Sequence, residues 1–284
     1  MALSRANSTL KMVARPLGKT GITLSIVGLG TVKFGRTTGL KYPGRAMLPS
    51  DAEASALLDA AEQVGICVLD TAPAYGVSEE RLGRFLKHRK HPWFVVTKAG
   101  EHWTGSVSVF DFSENSIAQS IDRSLERLSL PQLGSVLLHS DGVAETSKDG
   151  FDGAIRALRR AKEAGKVRTI GASLKSAAGV ARAIEWADVL MLEIGDEAAM
   201  RDAVNSAAGR GVGILVKKAL ASGHLDKLGT DPIRSAMTRN LAFPGVCSVI
   251  VGTTNAEHLR ENCEAAARAA DELAMNKPDT ERPA

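Results

Sequence analysis

Cysteine is scarce: Cys67, Cys247 and Cys263 are the three in 284 residues, and no C-x-x-C spacing joins them. Any disulfide scheme leaves one unpaired, and Cys67 and Cys247 sit in or beside apolar runs, so plain reduced thiols in a reducing compartment are expected. No apolar stretch approaches the roughly 18 residues of a membrane span, and the opening MALSRANSTLKM lacks the apolar centre of a secretory leader. A soluble, cytoplasmic protein with no membrane partner is the expectation. One-signed charge is also in short supply. The 36 Lys and Arg against 32 Asp and Glu leave +4, and no Lys/Arg run exceeds a pair, which gives nucleic-acid binding little footing. No metal is expected, because no spacing of the H-E-x-x-H kind is present.

Hydrophobic residues make up 44% and charged residues 24%, the balance of a folded globular chain. Eight short apolar runs stand out: 25–28, 66–70, 93–98, 135–139, 167–171, 188–192, 212–217 and 247–251. They are rich in Val, Ile and Leu, as parallel strands covered on both faces are. Helical periodicity fills the segments near 51–64, 78–90, 114–128, 151–164, 176–186, 197–209, 231–241 and 256–271. In the third of these, Ser113 is placed to cap and Ile117, Ile121, Leu125 and Leu128 form one stripe. Eight β–α alternations without a linker predict a closed α/β architecture, a (β/α)8 TIM barrel, over residues 13–274. Polar tails are expected at 1–12 and 275–284. VARPLGKTGITLS, with a turn at Gly18–Gly21, predicts an N-terminal β-hairpin at the barrel floor.

The last residues of neighbouring strands carry the chemistry. Strand two ends at Asp70, strand three at Lys98 and strand four at His139, and Tyr75 follows in the loop TAPAYG. Adjacent strands are about 4.8 Å apart, so these side chains can share one mouth. None belongs on a buried strand without a partner. A phenol near pKa 10 is a poor proton exchanger alone, and a neighbouring ammonium is expected to lower it. Asp70 would hold Lys98 charged, and His139 could bond a substrate oxygen. The set reads as a proton donor aimed at a carbonyl. Two other classes stay open on the residues: a Schiff-base lyase using Lys98, and a cofactor-binding sensor or scaffold with weak turnover.

The motifs LDTAPAYG (69–76), VVTKAG (95–100), LLHSDG (137–142) and VGTTNAEHLREN (251–262) resemble those of the aldo-keto reductases, over roughly residues 13–271. LGTVKFGR near the start and ILVKKALASGHL at 214–225 are similar to a bacterial branch of that family. The resemblance implies NADP(H)-dependent reduction of aldehydes or ketones, with NAD(H) also open. It implies Tyr75 as proton donor, Lys98 and Asp70 as its modulators and His139 as the group orienting the carbonyl. GLGTVK at 28–33 has Lys33 where a Rossmann fingerprint needs its third glycine, and the family needs no such fingerprint.

Cofactor contacts implied by the resemblance are Ser173 after strand five, Lys218, Leu220 and Ser222 in KALASG, and Gly252, Thr253, Thr254, His258, Glu261 and Asn262 in the last motif. Asn262 resembles the adenine-binding amide, and the following helix N-terminus suits a phosphate. The chain departs from the family at Leu174, at Met191 in place of a glutamine, at Lys217 in place of the aromatic that stacks on nicotinamide, and at Gly252 and His258 in place of Lys and Arg. Trp103, Phe110 and Glu193 are read as either pocket-lining or merely structural. The expected partner is a small carbonyl compound, with the chain a monomer or small homo-oligomer.

Overall fold

The structure is a computed structural model that describes residues 12–39, 47–147, 149–220 and 231–276. Of the tails expected at 1–12 and 275–284, residues 1–11 and 277–284 lie outside the described residues.

The chain opens with an antiparallel hairpin, β1 (Ala14–Pro16) on β2 (Thr23–Ser25), followed by the first barrel strand β3 (Val27–Gly30). The first barrel strand was expected at 25–28 and lies two residues later, because Ser25 is consumed by the hairpin ladder opposite Ala14. Thereafter strand and helix alternate: α1 (Asp51–Gln63), β4 (Val68–Asp70), α2 (Ser78–Leu86) and β5 (Phe94–Ala99). A second small hairpin, β6 (Glu101–Trp103) with β7 (Ser108–Phe110), interrupts the third loop. Then come α3 (Glu114–Leu128), β8 (Leu133–His139), α4 (Asp152–Glu163), β9 (Val167–Ser173), α5 (Ala177–Ala183) and β10 (Val189–Leu192). The order closes with α6 (Ala198–Gly209), β11 (Gly213–Val216), α7 (Pro232–Leu241), β12 (Val246–Val251) and α8 (Ala256–Met275). Eight parallel strands form a closed barrel in the order β3-β4-β5-β8-β9-β10-β11-β12, with β12 back on β3. Helix α8 runs to Met275, one residue into the segment expected as a tail.

Local chemistry explains the helix starts. Ser50 and Glu53 make a reciprocal capping box for α1, Ser113 caps α3, Ser176 caps α5 and Asn255 caps α8. Two apolar layers result. The outer one packs helix stripes such as Ile117, Ile121 and Leu128 against the strands. The inner one fills the barrel with Val68, Phe94, Val96, Leu137, Met191 and their neighbours. Cys247 and Cys263 are buried free thiols, and burial pushes both up to about 12, so they pack rather than react.

The N-terminal hairpin closes the barrel floor. Leu17 and Leu24 are buried within the inner layer, and the Lys19 amide donates to the Gly211 carbonyl at 2.9 Å, just before β11. Gly18 makes this possible: its φ is +52°, and a Cβ there would lie 2.2 Å from the Gly211 oxygen and 2.5 Å from the Gly213 nitrogen. Gly18→Ala therefore combines left-handed strain with a backbone clash. It should lower unfolding free energy by about 2 kcal/mol or more, measured by urea denaturation.

Candidate active site

Strand register builds the site. Asp70 pairs with Val96 across β4 and β5, and Lys98 lies two residues beyond Val96, on the same face. Both side chains point into the mouth at the C-terminal end of the barrel. The Lys98 ammonium, 2% exposed, donates to Asp70 Oδ1 at 2.5 Å and to the Thr71 carbonyl at 2.9 Å. Burial pushes this ammonium down, but the Asp70 charge and Tyr75 outweigh it, and the net direction is up. Lys98 is thus held as a cation. That removes it as the Schiff-base nucleophile left open by the sequence.

Tyr75 closes a single 3-10 turn, Pro73–Tyr75, after β4. Two glycines let this turn approach the loop after β3. A Cβ on Gly35 would meet the Tyr75 backbone carbonyl oxygen at 2.2 Å, and a Cβ on Gly76, where φ is +62°, would meet the Gly35 carbonyl oxygen at 2.1 Å. Arg81, from α2, ties the same loop down through the Phe34 and Pro49 carbonyls and Asp51. The phenol ring so placed has Lys98 Nζ 4.7 Å from its centroid and the His139 ring 6.3 Å away, edge-on. Burial dominates the phenol, raising it to about 12 despite Lys98, whose charge Asp70 largely offsets. The expected lowering of this pKa does not occur in the free site. Tyr75 is firmly protonated at neutral pH.

His139 ends β8, and its Nδ1 lies 2.6 Å from Glu101 Oε2. Glu101 is a residue of the candidate site that sequence reasoning missed. It sits on the β6–β7 hairpin, whose strands are three residues each, too short for alternation to reveal. Burial opposes its ionisation, but His139, Ser108 and Arg36 together hold it down to about 2. Burial pushes His139 below the usual imidazole value, with Glu101 resisting and Lys98 and Lys217 assisting. Against an ionised carboxylate, a neutral ring carries its hydrogen on Nδ1 and leaves Nε2 as an acceptor for the mouth.

These groups line a cavity of about 840 Å³, which also reaches Phe110, Glu193, Met191, Lys217 and Gly252. That volume falls in the range of small-molecule sites. Trp103 serves as an anchor, with the Arg36 guanidinium 3.5 Å from its ring centroid, whereas Phe110 lines the cavity. Lys217 and Lys218 diverge: Lys217 Nζ turns inward to Ser173 Oγ at 2.8 Å, and Lys218 turns outward to Glu193 at 2.5 Å. Leu174 and Met191, each 1% exposed, are apolar walls beside Ser173. Leu220 is half-buried, and Ser222 lies outside the described residues.

Beyond β12, Gly252 borders the cavity, Thr253 bonds the Asn255 amide at 3.0 Å, and Thr254, His258 and Glu261 are exposed. Two amides of the α8 N-terminus, those of Glu257 and His258, are already taken by Asn255 Oδ1, so fewer are free for a phosphate than the sequence suggested. Asn262 is 4% exposed, and its side-chain oxygen is buried without a partner. An orphaned buried acceptor suits the exocyclic amine of an adenine. That acceptor is the feature of this segment that fits an adenine-bearing cofactor.

The eight strands thus form a closed parallel barrel that gathers Tyr75, Lys98, Asp70 and His139 at one mouth. The sequence profile of the aldo/keto reductase family matches residues 27–241. The chain belongs to this family. A crystal structure from Pseudomonas aeruginosa, of a protein described as an aldo-keto reductase, superposes with a TM-score of 0.81 at 42% identity, covering 92% of this chain and 98% of that one. L-Galactose dehydrogenase of Arabidopsis thaliana is 36% identical over 167 residues, 57% of this chain and 48% of that protein. Pyridoxal 4-dehydrogenase of Microbacterium luteolum is 29% identical over 210 residues, 62% of this chain and 59% of that protein. The matched region thus spans between about half and three-fifths of these two curated relatives.

The Glu101 contact carries a test by histidine NMR. His139 should titrate below the ordinary imidazole value of about 6.5 and show the Nδ1–H tautomer. Because Glu101 favours the imidazolium, Glu101→Gln should move the His139 pKa further down; an upward move contradicts the assignment.

Proposed function

We propose that this protein is an oxidoreductase reducing aldehyde and ketone carbonyls to alcohols, with NADP(H) as cofactor. The observation that carries the reading is the protonated Tyr75 phenol facing the cavity beside a Lys98 ammonium that Asp70 keeps charged. Asn262, Gly252, Thr253, Thr254, His258 and Glu261 would hold the adenosine part of the cofactor and Ser173, Lys218 and Leu220 the remainder, and the cofactor would supply the hydride.

The chain's own groups handle the proton. Tyr75, at about 12, holds its proton until the substrate oxygen gains negative charge. An alkoxide's conjugate acid is about as weak as water, near 15.7, so transfer from this phenol runs downhill. Lys98 then stabilises the phenolate left behind, and Asp70 prevents the ammonium from losing its own proton instead. His139 positions the substrate through Nε2: neutral, it accepts from the hydroxyl of the alcohol; protonated, with Glu101 as counter-ion, it donates to the carbonyl oxygen. Small or aromatic aldehydes suit a cavity with Phe110 on its wall.

A second reading, a cofactor-binding barrel with weak turnover, has its own support in the nicotinamide end, where Leu174, Met191 and Lys217 stand in place of the family's polar and aromatic groups. Tyr75→Phe separates the two. It should cut NADPH-dependent aldehyde reduction by about 100-fold or more while leaving the NADPH dissociation constant within about two-fold. Wild-type protein that binds NADPH yet reduces none of a panel of aldehydes overturns the reductase reading.

Cofactor choice has a separate readout. His258, exposed in the first turn of α8, favours a 2′-phosphate, and NADPH should bind more tightly than NADH by fluorescence titration. Equal dissociation constants overturn that choice, with uncharged Gly252 and acidic Glu261 as the physical reason.

A further inference from the structure

Among the cations of the mouth, Lys98 has Asp70, Lys218 has Glu193 and Arg36 has Glu101, whereas no ion pair joins Lys217 or Lys175 to a carboxylate among the described residues. Of these two, Lys175 is exposed and reaches the Asp141 carbonyl, while Lys217 is half-buried and turned inward. The one hydrogen bond of its Nζ among those residues is to the neutral hydroxyl of Ser173. The groups that bear on it come from every side: Lys98 from β5, His139 from β8, Lys175 from the loop after β9, and Lys218 beside it. The acid whose charge opposes them, Glu145, is already engaged by the backbone amides of Lys175 and Ser176 and by the Ser176 hydroxyl. Burial foremost, then these cations, bring the Lys217 amine down to about 7.

We propose that Lys217 is a nucleophilic amine that captures small aldehydes entering the mouth as a reversible imine. The step needs neither hydride nor Tyr75, and because Lys217 stands at the end of the mouth proposed for nicotinamide, the capture belongs to the cofactor-free protein. In the step, the free electron pair of Nζ adds to the carbonyl carbon, and the carbon–oxygen π pair moves to oxygen, which takes a proton. The carbinolamine so formed loses its hydroxyl group and the remaining nitrogen proton as one water, leaving a carbon–nitrogen double bond. No oxidant or reductant is consumed. The open cavity lets the water leave, and the Ser173 hydroxyl holds the amine in place from strand β9.

The test uses full-length protein without added nicotinamide cofactor, benzaldehyde at pH 7 and cyanoborohydride, followed by peptide mapping with fragment-ion assignment. Exposed lysines near 10.4 hold well under a hundredth of their amine in the free form at that pH. Lys217 should therefore carry the reduced adduct at about ten-fold or more above the median lysine. Lys217→Arg, which keeps the charge and removes the nucleophile, should abolish that peak and leave labelling elsewhere unchanged. Labelling of Lys217 at or below the median, or a dominant adduct on Lys98 or Lys218, overturns the proposal. The wild-type map decides alone if the arginine variant does not fold.

Discussion

A lysine ammonium sealed inside a barrel needs an opposite charge within bonding distance, because leaving it unpaired costs several kcal/mol. Lys98 meets that need through strand register rather than through a flexible loop. Asp70 and Val96 are partners across β4 and β5, and the two-residue period of β5 returns Lys98 to the same face. The ion pair is therefore as rigid as the barrel. Everything else at the mouth is arranged against it: the Thr71 carbonyl accepts a second hydrogen bond from the ammonium, the Tyr75 ring lies over it, and the His139 ring stands edge-on to the phenol. A slip of one residue in either strand would send one of the two charges into the outer apolar layer.

The loops that complete the site depend on backbone contact more than on side chains. The Tyr75 turn and the loop after β3 touch at Gly35 and Gly76, where any Cβ would collide with a carbonyl. That contact allows Arg36 to reach the Ala74 oxygen while stacking on Trp103 and approaching Glu101. One chain of contacts thus links the proton-bearing phenol to the hairpin that carries the His139 counter-ion. The two loops and the hairpin behave as one wall of the cavity.

Much of this was legible in the sequence, for a physical reason. Strands covered on both faces must be apolar, so Asp70, Lys98 and His139 at their ends were conspicuous, and helix stripes such as Ile117–Leu128 gave the alternation that implies a barrel. The first barrel strand was misplaced because SIVG is as apolar as a barrel strand, although Ser25 pairs in the floor hairpin. Glu101 was invisible because a carboxylate in a hairpin of three-residue strands looks like any solvated loop acid. The direction of the Tyr75 pKa was missed because residue types reveal a neighbouring charge but not the burial that outweighs it, nor how far Asp70 has already neutralised that charge.

The departures at Leu174, Met191 and Lys217 belong together. Lys217 reaches from the end of β11 to Ser173 at the end of β9, passing over β10, where Met191 stands. Leu174 and Met191 are both buried and apolar, so neither offers the amine a second hydrogen bond. An amide at either position would compete for Lys217 or Ser173, and a carboxylate would restore the full positive charge. With apolar walls and cations on the remaining sides, the amine keeps one neutral partner and a proton that it holds weakly. Three side chains far apart in the sequence thus meet in one part of the cavity, where two apolar walls and one neutral hydroxyl surround the lysine.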